Sequence, residues 1–269
     1  MSLSIAGKTA IVTGAANGIG LAIARHFVDK GANVMFVDMD EARLEAEVGT
    51  EARAEGPVQI FAGDLRQKLT IANLLSATVE AFERIDILVN ASRQMAISDP
   101  LCVEDDAVET LLEQNLLTSL RVSQMVAKRM IAQAEKADDQ ARAAGVIINL
   151  SSIAAHHTQG ALLGYSIACA AVDQMTRSLA VVLAPRGIRV NAVAFGSVLS
   201  ASLQAVLKDH PDYRDAIAEG TPLHRIAAPD ELVEAVQFLA SDAAGFMTGQ
   251  ILTIDGGRSL IDPVSAPAH

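Results

Sequence analysis

The chain has 269 residues, of which 51% are hydrophobic, 20% are charged and 3% are aromatic. This length suits one large domain, which can bury enough aliphatic surface to fold without disulfides or a structural metal. A formal net charge of -11 and the lack of a basic cluster argue against nucleic acid as a partner, because phosphate contacts need concentrated lysine and arginine. No uninterrupted apolar run reaches the ~20 residues of a membrane span, so membrane insertion is not expected.

Cysteine and aromatic residues are scarce. The chain has two cysteines, Cys102 and Cys169, no tryptophan, and two tyrosines, Tyr165 and Tyr213. The first residues lack the charged region and cleavable apolar stretch of a signal peptide. These features predict a reduced, cytoplasmic protein, and they single out each tyrosine as a candidate functional side chain.

Short β-branched runs alternate with longer stretches of helical periodicity along the whole chain. Because the runs are apolar on both faces, the alternation predicts an α/β fold with a doubly wound parallel sheet of about seven strands and helices on both faces. No proline- or serine-rich linker divides residues 1–269, which predicts a single domain. The predicted strands are Thr9–Thr13, Asn33–Val37, Val58–Phe61, Ile85–Val89, Val146–Leu150, Ile188–Ala194 and Ile251–Ile254.

A glycine-rich loop, TGAANGIG, follows the first predicted strand at residues 13–20. Glycines allow a sharp turn and let a phosphate approach backbone N–H groups at the start of the next helix, where the helix dipole favours an anion. A tight strand-to-helix turn also favours glycine when no ligand binds, so the loop alone leaves both interpretations open.

The second predicted strand leads into Asp38, which follows Gly20 by 18 residues, close to the ~20-residue offset of a carboxylate that binds a ribose diol. Such an acid accepts hydrogen bonds from both hydroxyls of NAD and repels the 2′-phosphate of NADP. A helix N-cap at Asp38 or Asp40 is the alternative. The loop and the carboxylate together predict a dinucleotide site that prefers NAD.

The longest helical pattern covers Glu104–Gln133 and continues into the charged sequence EKADDQARAAG, which we expect to be a solvated extension or a partner site. The chain ends in IDPVSAPAH, whose prolines end regular structure. This segment is either a disordered tail or an arm on a neighbouring subunit, and both alternatives remain open.

The glycine spacing G-x-x-x-G-x-G resembles that of the short-chain dehydrogenase/reductase family, and the similarity extends from Lys8 to about Leu260. Gly63-Asp64-Leu65 is similar to the family's adenine-contacting turn, and the segments GIRVNAVAFG and MTGQILTIDGG are family-like. The resemblance implies a Rossmann-like fold. It also implies a set of cofactor-binding residues: Gly14, Asn17, Gly18, Ile19, Gly20, Asp38, Asp64, Leu65, Asn90, Tyr165, Gly196 and Val198.

The same resemblance places Asn115, Ser152 and Tyr165 at the family's catalytic positions, with Tyr165 following Ser152 by the family interval of 13 residues. It implies hydride transfer between a secondary alcohol and NAD, with a tyrosinate that takes the hydroxyl proton and a serine that binds the developing carbonyl. The alternative is a catalytically weakened NAD-binding protein with a sensing or oligomer role.

Three positions depart from the family pattern. Cys169 stands where the family has a lysine that lowers the pKa of the tyrosine, Arg93 replaces the glycine of N-N-A-G, and Phe195 replaces the proline of P-G. A tyrosine with an ordinary pKa of ~10 is ionised only about one part in a thousand at pH 7, so the missing lysine should slow turnover. Cys169 itself is interpreted as a small, partly buried apolar residue, with a redox role as the alternative.

Arg93 has three interpretations from sequence. Its side chain points to solvent, obstructs the nicotinamide half of the site, or returns the missing positive charge near Tyr165. His156 and His157 follow Ser152 closely and either line the pocket, face solvent or act as an acid or base. No third ligand at a suitable spacing accompanies them, so no metal site is predicted.

Residues 197–225 contain Leu199, Leu203, Val206, Leu207 and Tyr213 among charged residues, which suits either an amphipathic lid over a small-molecule substrate or two surface helices. The helical stretches Leu111–Met130 and Ala168–Leu183 are apolar around much of their circumference. Because the family commonly forms tetramers, the resemblance implies a homo-oligomer, either a tetramer or a dimer.

Overall fold

A computed structural model of the protein describes residues 3–52, 56–104, 106–137 and 143–262. Within these residues, seven parallel strands form one sheet in the order β3-β2-β1-β4-β5-β6-β7. The doubly wound α/β fold predicted from the sequence is thereby confirmed. The strands are β1 (Thr9–Thr13), β2 (Asn33–Asp38), β3 (Val58–Ala62), β4 (Ile87–Asn90), β5 (Gly145–Ser152), β6 (Ile188–Phe195) and β7 (Ile251–Ile254).

Helices connect successive strands, as parallel pairing requires. They are α1 (Gly18–Asp29), α2 (Glu41–Ala52), α3 (Lys68–Phe82), α4 (Val108–Leu111), α5 (Thr118–Lys136), α6 (Leu163–Leu183), α7 (Ala201–Asp209), α8 (Asp212–Glu219) and α9 (Pro229–Ala240). A π-helical turn, Leu112–Leu117, joins α4 to α5.

Two apolar clusters cover the opposite faces of the sheet. Alternate residues of β1 belong to different clusters, with Ala10 and Val12 on the side of α1 and α9 and Ile11 on the side of α3 and α5. This alternation is the period-2 geometry of a strand whose two faces are both buried. It explains why the strands could be recognised as continuous aliphatic runs.

Two predicted starts are wrong by two residues or more, and the predicted ends of β2 to β6 fall one or two residues short. The fourth strand begins at Ile87 rather than Ile85, because the backbone of Ile85 bonds in both directions to the side-chain amide of Gln133, at 3.1 and 3.0 Å, instead of to a neighbouring strand. The long helical pattern begins at Val108, whose N–H donates to Asp106 Oδ1 at 3.0 Å, and not at residue 104. It ends at Lys136, and the rest of the charged extension lies largely outside the described residues, as does most of the terminal segment.

The segment Gly160–Arg186, which includes α6, is long and apolar enough to cross a membrane by length and composition alone. This finding qualifies the sequence expectation that no segment could do so. The helix packs against β5 and β6 and carries the buried carboxylate Asp173. Its position in the core of an α/β fold explains its apolar composition.

Buried polar side chains tie the middle of the sheet to two helices. Asn90 Nδ2 donates to Asn149 Oδ1 at 2.8 Å and to Ser123 Oγ at 2.9 Å, and Asn149 Nδ2 donates to Thr176 Oγ1 at 2.8 Å. These bonds join β4 and β5 to α5 and α6 just below the carboxyl ends of the strands. Buried amides that are paired in this way favour one arrangement of the surrounding elements.

We expect Asn149→Ala to lower the free energy of unfolding by about 1–3 kcal/mol, because it removes the acceptor of Asn90 and the donor to Thr176 inside the core. Urea denaturation measures the change. The matched control is Asn73→Ala on the exposed face of α3, for which we expect a change within about 0.5 kcal/mol. Equal effects of the two substitutions would contradict a stabilising role for the network.

Candidate active site

The loop after β1 packs so closely, against the loop after β4 and against itself, that two of its positions have no room for a side chain. Gly14 has φ +68, and a Cβ atom there would lie 2.8 Å from Ser92 Cα. A Cβ at Gly20 would collide with the carbonyl oxygen of Gly14. Around Gly18, by contrast, no atom of the described residues outside the adjoining backbone lies within 4 Å of the position of a Cβ, which leaves open space beside the start of α1. Such space next to helix N–H groups is what a phosphate requires.

Asp38 stands at the carboxyl end of β2 and binds this loop. Its Oδ2 accepts from Ala16 N at 3.1 Å, and its Oδ1 accepts from Met39 N at 2.8 Å. The carboxylate that begins α2 is instead Asp40, whose Oδ1 accepts from Arg43 N at 3.0 Å. The structure thus assigns helix capping to Asp40, and it places Asp38 beside the glycine-rich loop.

One cleft of about 1480 Å³ runs along the carboxyl edge of the sheet and contains most of the predicted site residues. The predicted cofactor-binding residues that line it are Gly14, Asn17, Gly18, Ile19, Gly20, Asp38, Asp64, Leu65, Tyr165, Gly196 and Val198. Asn90 is the exception, because its side chain is turned into the buried amide network and does not line the cleft. The carboxylate of Asp64 is paired with Arg66, 2.7 Å away, which lowers the pKa of Asp64.

Tyr165 and Ser152 meet at the centre of the cleft, and both side chains are almost completely buried. Burial raises the pKa of Tyr165 above its ordinary value, the charge of Arg93 opposes this rise, the neighbouring Cys169 adds to it, and a hydrogen bond with Ser152 lowers it. Burial also raises the pKa of the Cys169 thiol to about 11. Cys169 is therefore a neutral thiol at physiological pH.

Arg93 is turned into the site, which excludes the solvent-facing interpretation. Its guanidinium carbon lies 4.1 Å from the ring centre of Phe195 and 5.8 Å from that of Tyr165. Nη1 donates to the carbonyl oxygen of Ser151 at 3.0 Å. A cation held over aromatic faces in a partly buried site acts on ionisable neighbours.

Asn115 lies in the π-helical turn and holds the loop that carries Arg93. Its Nδ2 donates to Gln94 O and its Oδ1 accepts from Gln94 N, both at 2.8 Å. Both ends of the amide are thus bound to the backbone of the residue next to Arg93. Irregular turns of this kind inside helices are frequent at functional sites.

Sequence analysis missed Asp173, a buried carboxylate on α6 below the tyrosine. Its Oδ1 accepts from Ser151 Oγ at 2.6 Å, His156 Nε2 lies 3.4 Å from its Oδ2, and burial raises the pKa of Asp173. The available signal was an acidic residue in an apolar helix, eight residues after Tyr165. His157, in contrast, lines the cleft.

No group of three or more potential metal ligands occurs in the part of the chain that the structure describes. The segment after β6 forms α7 and α8, so it is both a pair of short helices and a wall of the cleft.

Comparison with known proteins agrees with this geometry. A family model described as enoyl-(acyl carrier protein) reductase matches residues 14–259. Cis-4-hydroxycyclohexanecarboxylate dehydrogenase of Sinomonas cyclohexanicum is 35% identical over 97% of this chain and 100% of its own length. Galactitol 2-dehydrogenase of Cereibacter sphaeroides is 33% identical over 94% of this chain and 96% of its own length.

A solved structure of similar fold is 7α-hydroxysteroid dehydrogenase complexed with NADH and 7-oxo glycochenodeoxycholic acid. It matches with a TM-score of 0.85 and 29% identity over 95% of both chains. The chain belongs to the short-chain dehydrogenase/reductase family, whose members are oxidoreductases.

We expect iodoacetamide at pH 8 to alkylate the partly exposed Cys102 and to leave Cys169 unmodified, because thiolate is the reactive form and Cys169 has a pKa of about 11. Peptide mass mapping measures both sites. In a Cys102→Ser variant, the rate at Cys169 should rise about tenfold per pH unit between pH 8 and 10. Comparable alkylation of both cysteines at pH 8 would show that Cys169 is not buried as described.

Proposed function

We propose that the protein is an NAD-dependent oxidoreductase that interconverts a secondary alcohol and a ketone. The observation that carries this proposal is the pairing of Tyr165 with Ser152 in the same cleft as the glycine-rich loop and Asp38. A proton acceptor, a hydrogen-bond donor for the carbonyl oxygen and a dinucleotide site are thereby within one cavity.

The proposed chemistry needs two groups from the chain at the reacting oxygen. The phenolate of Tyr165 takes the proton of the substrate hydroxyl, and Ser152 donates a hydrogen bond to the same oxygen as it becomes a carbonyl. A bound NAD supplies the acceptor for the hydride that leaves the alcohol carbon. In the reverse direction the neutral Tyr165 hydroxyl returns the proton. We assign Asn115 a positioning role, because both ends of its amide are bound to Gln94.

The residues of the cleft fit NAD. Open space at Gly18 and the start of α1 suits the pyrophosphate, and Asp38 at the end of β2 suits the hydroxyls of the adenosine ribose. Of the described arginines that line the cleft, Arg66 lies nearest to Asp38 along the chain. Its side chain is paired with Asp64. A 2′-phosphate would meet the carboxylate of Asp38, and Arg66 is already paired with Asp64, so we assign NAD rather than NADP.

The walls of the substrate half are mainly apolar. Leu203, Val206, Tyr213 and Ile217 of α7 and α8 line it. This lining suits an alicyclic secondary alcohol of medium size, in line with the ring-bearing substrates in the names of two similar proteins. We propose residues 197–225 as the lid of the single domain.

Exposed apolar side chains on α6, among them Val181 and Val182, suit contact with further copies of the chain. We propose a homo-oligomer, either a dimer or a tetramer. Both cysteines are free thiols, which suits the reducing setting of the cytoplasm.

Asp38→Asn tests the cofactor assignment. The amide keeps an acceptor for Ala16 N but removes the charge that repels a 2′-phosphate. We expect the ratio of the dissociation constants of NADPH and NADH to fall at least about tenfold, equivalent to about 1.4 kcal/mol. Fluorescence titrations with both cofactors measure this ratio. Asp40→Asn on the exposed start of α2 is the matched control and should leave the ratio unchanged. A parent protein that binds NADPH more tightly than NADH would contradict the assignment.

Tyr165→Phe tests the chemistry. We expect a loss of at least about a hundredfold in kcat, because the proton acceptor is removed while the ring remains. The measurement is NADH formation with a panel of alicyclic, steroid and polyol alcohols. NADH binding should change little in this variant, which separates lost chemistry from lost folding. Binding of NADH by the parent protein without turnover of any alcohol or ketone from pH 7 to 10 would contradict the proposed reaction.

A further inference from the structure

The three positions that depart from the family pattern meet at one point in the structure. Arg93 follows β4, Phe195 ends β6 and Cys169 lies on α6, yet Arg93 and Cys169 both act on Tyr165, and Phe195 lies against Arg93. The guanidinium of Arg93 stacks over Phe195 and lies beside the tyrosine ring. The family's lysine is absent where this arginine is present.

The position of Arg93 allows its charge to act on the two ionisable groups of the site. It favours the ionised forms of both Tyr165 and Cys169. Of the described groups, Arg93 and Cys169 are the titratable side chains that act on Tyr165, and the thiol is neutral. Asp173 lies further along α6, where Ser151 Oγ donates to its Oδ1 and His156, from the loop after β5, lies 3.4 Å from its Oδ2.

We propose that Arg93 supplies the positive charge that stabilises the proton-accepting form of Tyr165, in place of the family's lysine. This inference rests on the proposed function, because it assigns Tyr165 the role of base. Arg93 acts through Tyr165, because its charge favours the ionised tyrosine. Arg93 itself forms no covalent bond and is therefore a positioning residue.

Two contacts hold the guanidinium beside Tyr165, and a third fixes the loop that carries Arg93. The aromatic face of Phe195 stacks against it, the carbonyl of Ser151 accepts from Nη1, and the amide of Asn115 fixes the adjacent residue Gln94. A cation fixed in this way loses little conformational freedom when tyrosinate forms. Cys169 contributes by its small size, since a lysine there would place a second cation against the first.

The amino-acid composition provides a direct test that needs no substrate. With no tryptophan and two tyrosines, a Tyr213→Phe background leaves Tyr165 as the sole source of tyrosinate absorbance. We expect Arg93→Gln in this background to raise the pKa of Tyr165 by about one unit or more, since an opposite charge within ~4–6 Å lowers a pKa by about 1–3 units. Arg93→Lys should retain part of the effect, and Arg43→Ala on the exposed face of α2 should have none.

Kinetics provide the second arm, with the parent Tyr213 retained. The rising limb of kcat/KM against pH for alcohol oxidation should move upward by about one unit in Arg93→Gln and by less in Arg93→Lys. Circular dichroism at each pH and NADH titration exclude unfolding as the cause. An unchanged tyrosine pKa in Arg93→Gln, or faster turnover with tighter NADH binding, would overturn the proposal, the latter by showing that Arg93 obstructs the site.

A double variant tests whether the charge of Arg93 takes the place of a lysine charge at position 169. Arg93→Gly with Cys169→Lys restores the family arrangement, and we expect it to recover a low tyrosine pKa that Arg93→Gly alone has lost. The proposal would be contradicted if Cys169→Lys lowered the pKa of Tyr165 by the same amount whether or not Arg93 is present. If the tyrosine titration responds to Arg93 while no alcohol or ketone is turned over, the proposed function fails and the electrostatic inference stands.

Discussion

The constraint on which the site depends is the parallel pairing of all seven described strands, which puts their carboxyl ends at one edge of the sheet. The order changes direction at β1, where β2 lies on one side and β4 on the other, so the loops that follow these strands diverge and leave a cleft. The glycine-rich loop, Asp38 and Arg93 all lie at this edge because each follows one of these strands. Buried amides of Asn90 and Asn149 hold the central strands and their covering helices together beneath it.

Burial sets the electrostatics of the cleft. On α6 the side chains of Tyr165, Cys169 and Asp173 recur at intervals of four residues, and loss of water disfavours the ionised form of each. The hydrogen bond that Ser151 donates partly offsets this effect at Asp173. Arg93 performs the corresponding role for the tyrosine. One helix therefore presents three acidic groups, and residues on other elements determine how readily each ionises.

Much of the fold and part of the site could be predicted from the sequence, because they depend on local composition. Continuous aliphatic runs identified the strands, and the glycine spacing identified the loop after β1. The start of β4 was wrong because Gln133, 48 residues away, binds Ile85 in place of a strand. The buried network around the side chain of Asn90 could not be read from the sequence for the same kind of reason, since its partners are on β5 and α5.

The sequence by itself determined the class of fold, the glycine-rich loop after β1, and the presence of a cysteine four residues after Tyr165, because each is a matter of residue type and spacing along one stretch of chain. Only the tertiary structure decided where Arg93 points, since its orientation depends on Phe195, Ser151 and Asn115, which come from three other elements. Electrostatic interaction depends on distance and burial in space. Both are established only when strands and helices that are far apart in the chain have packed together.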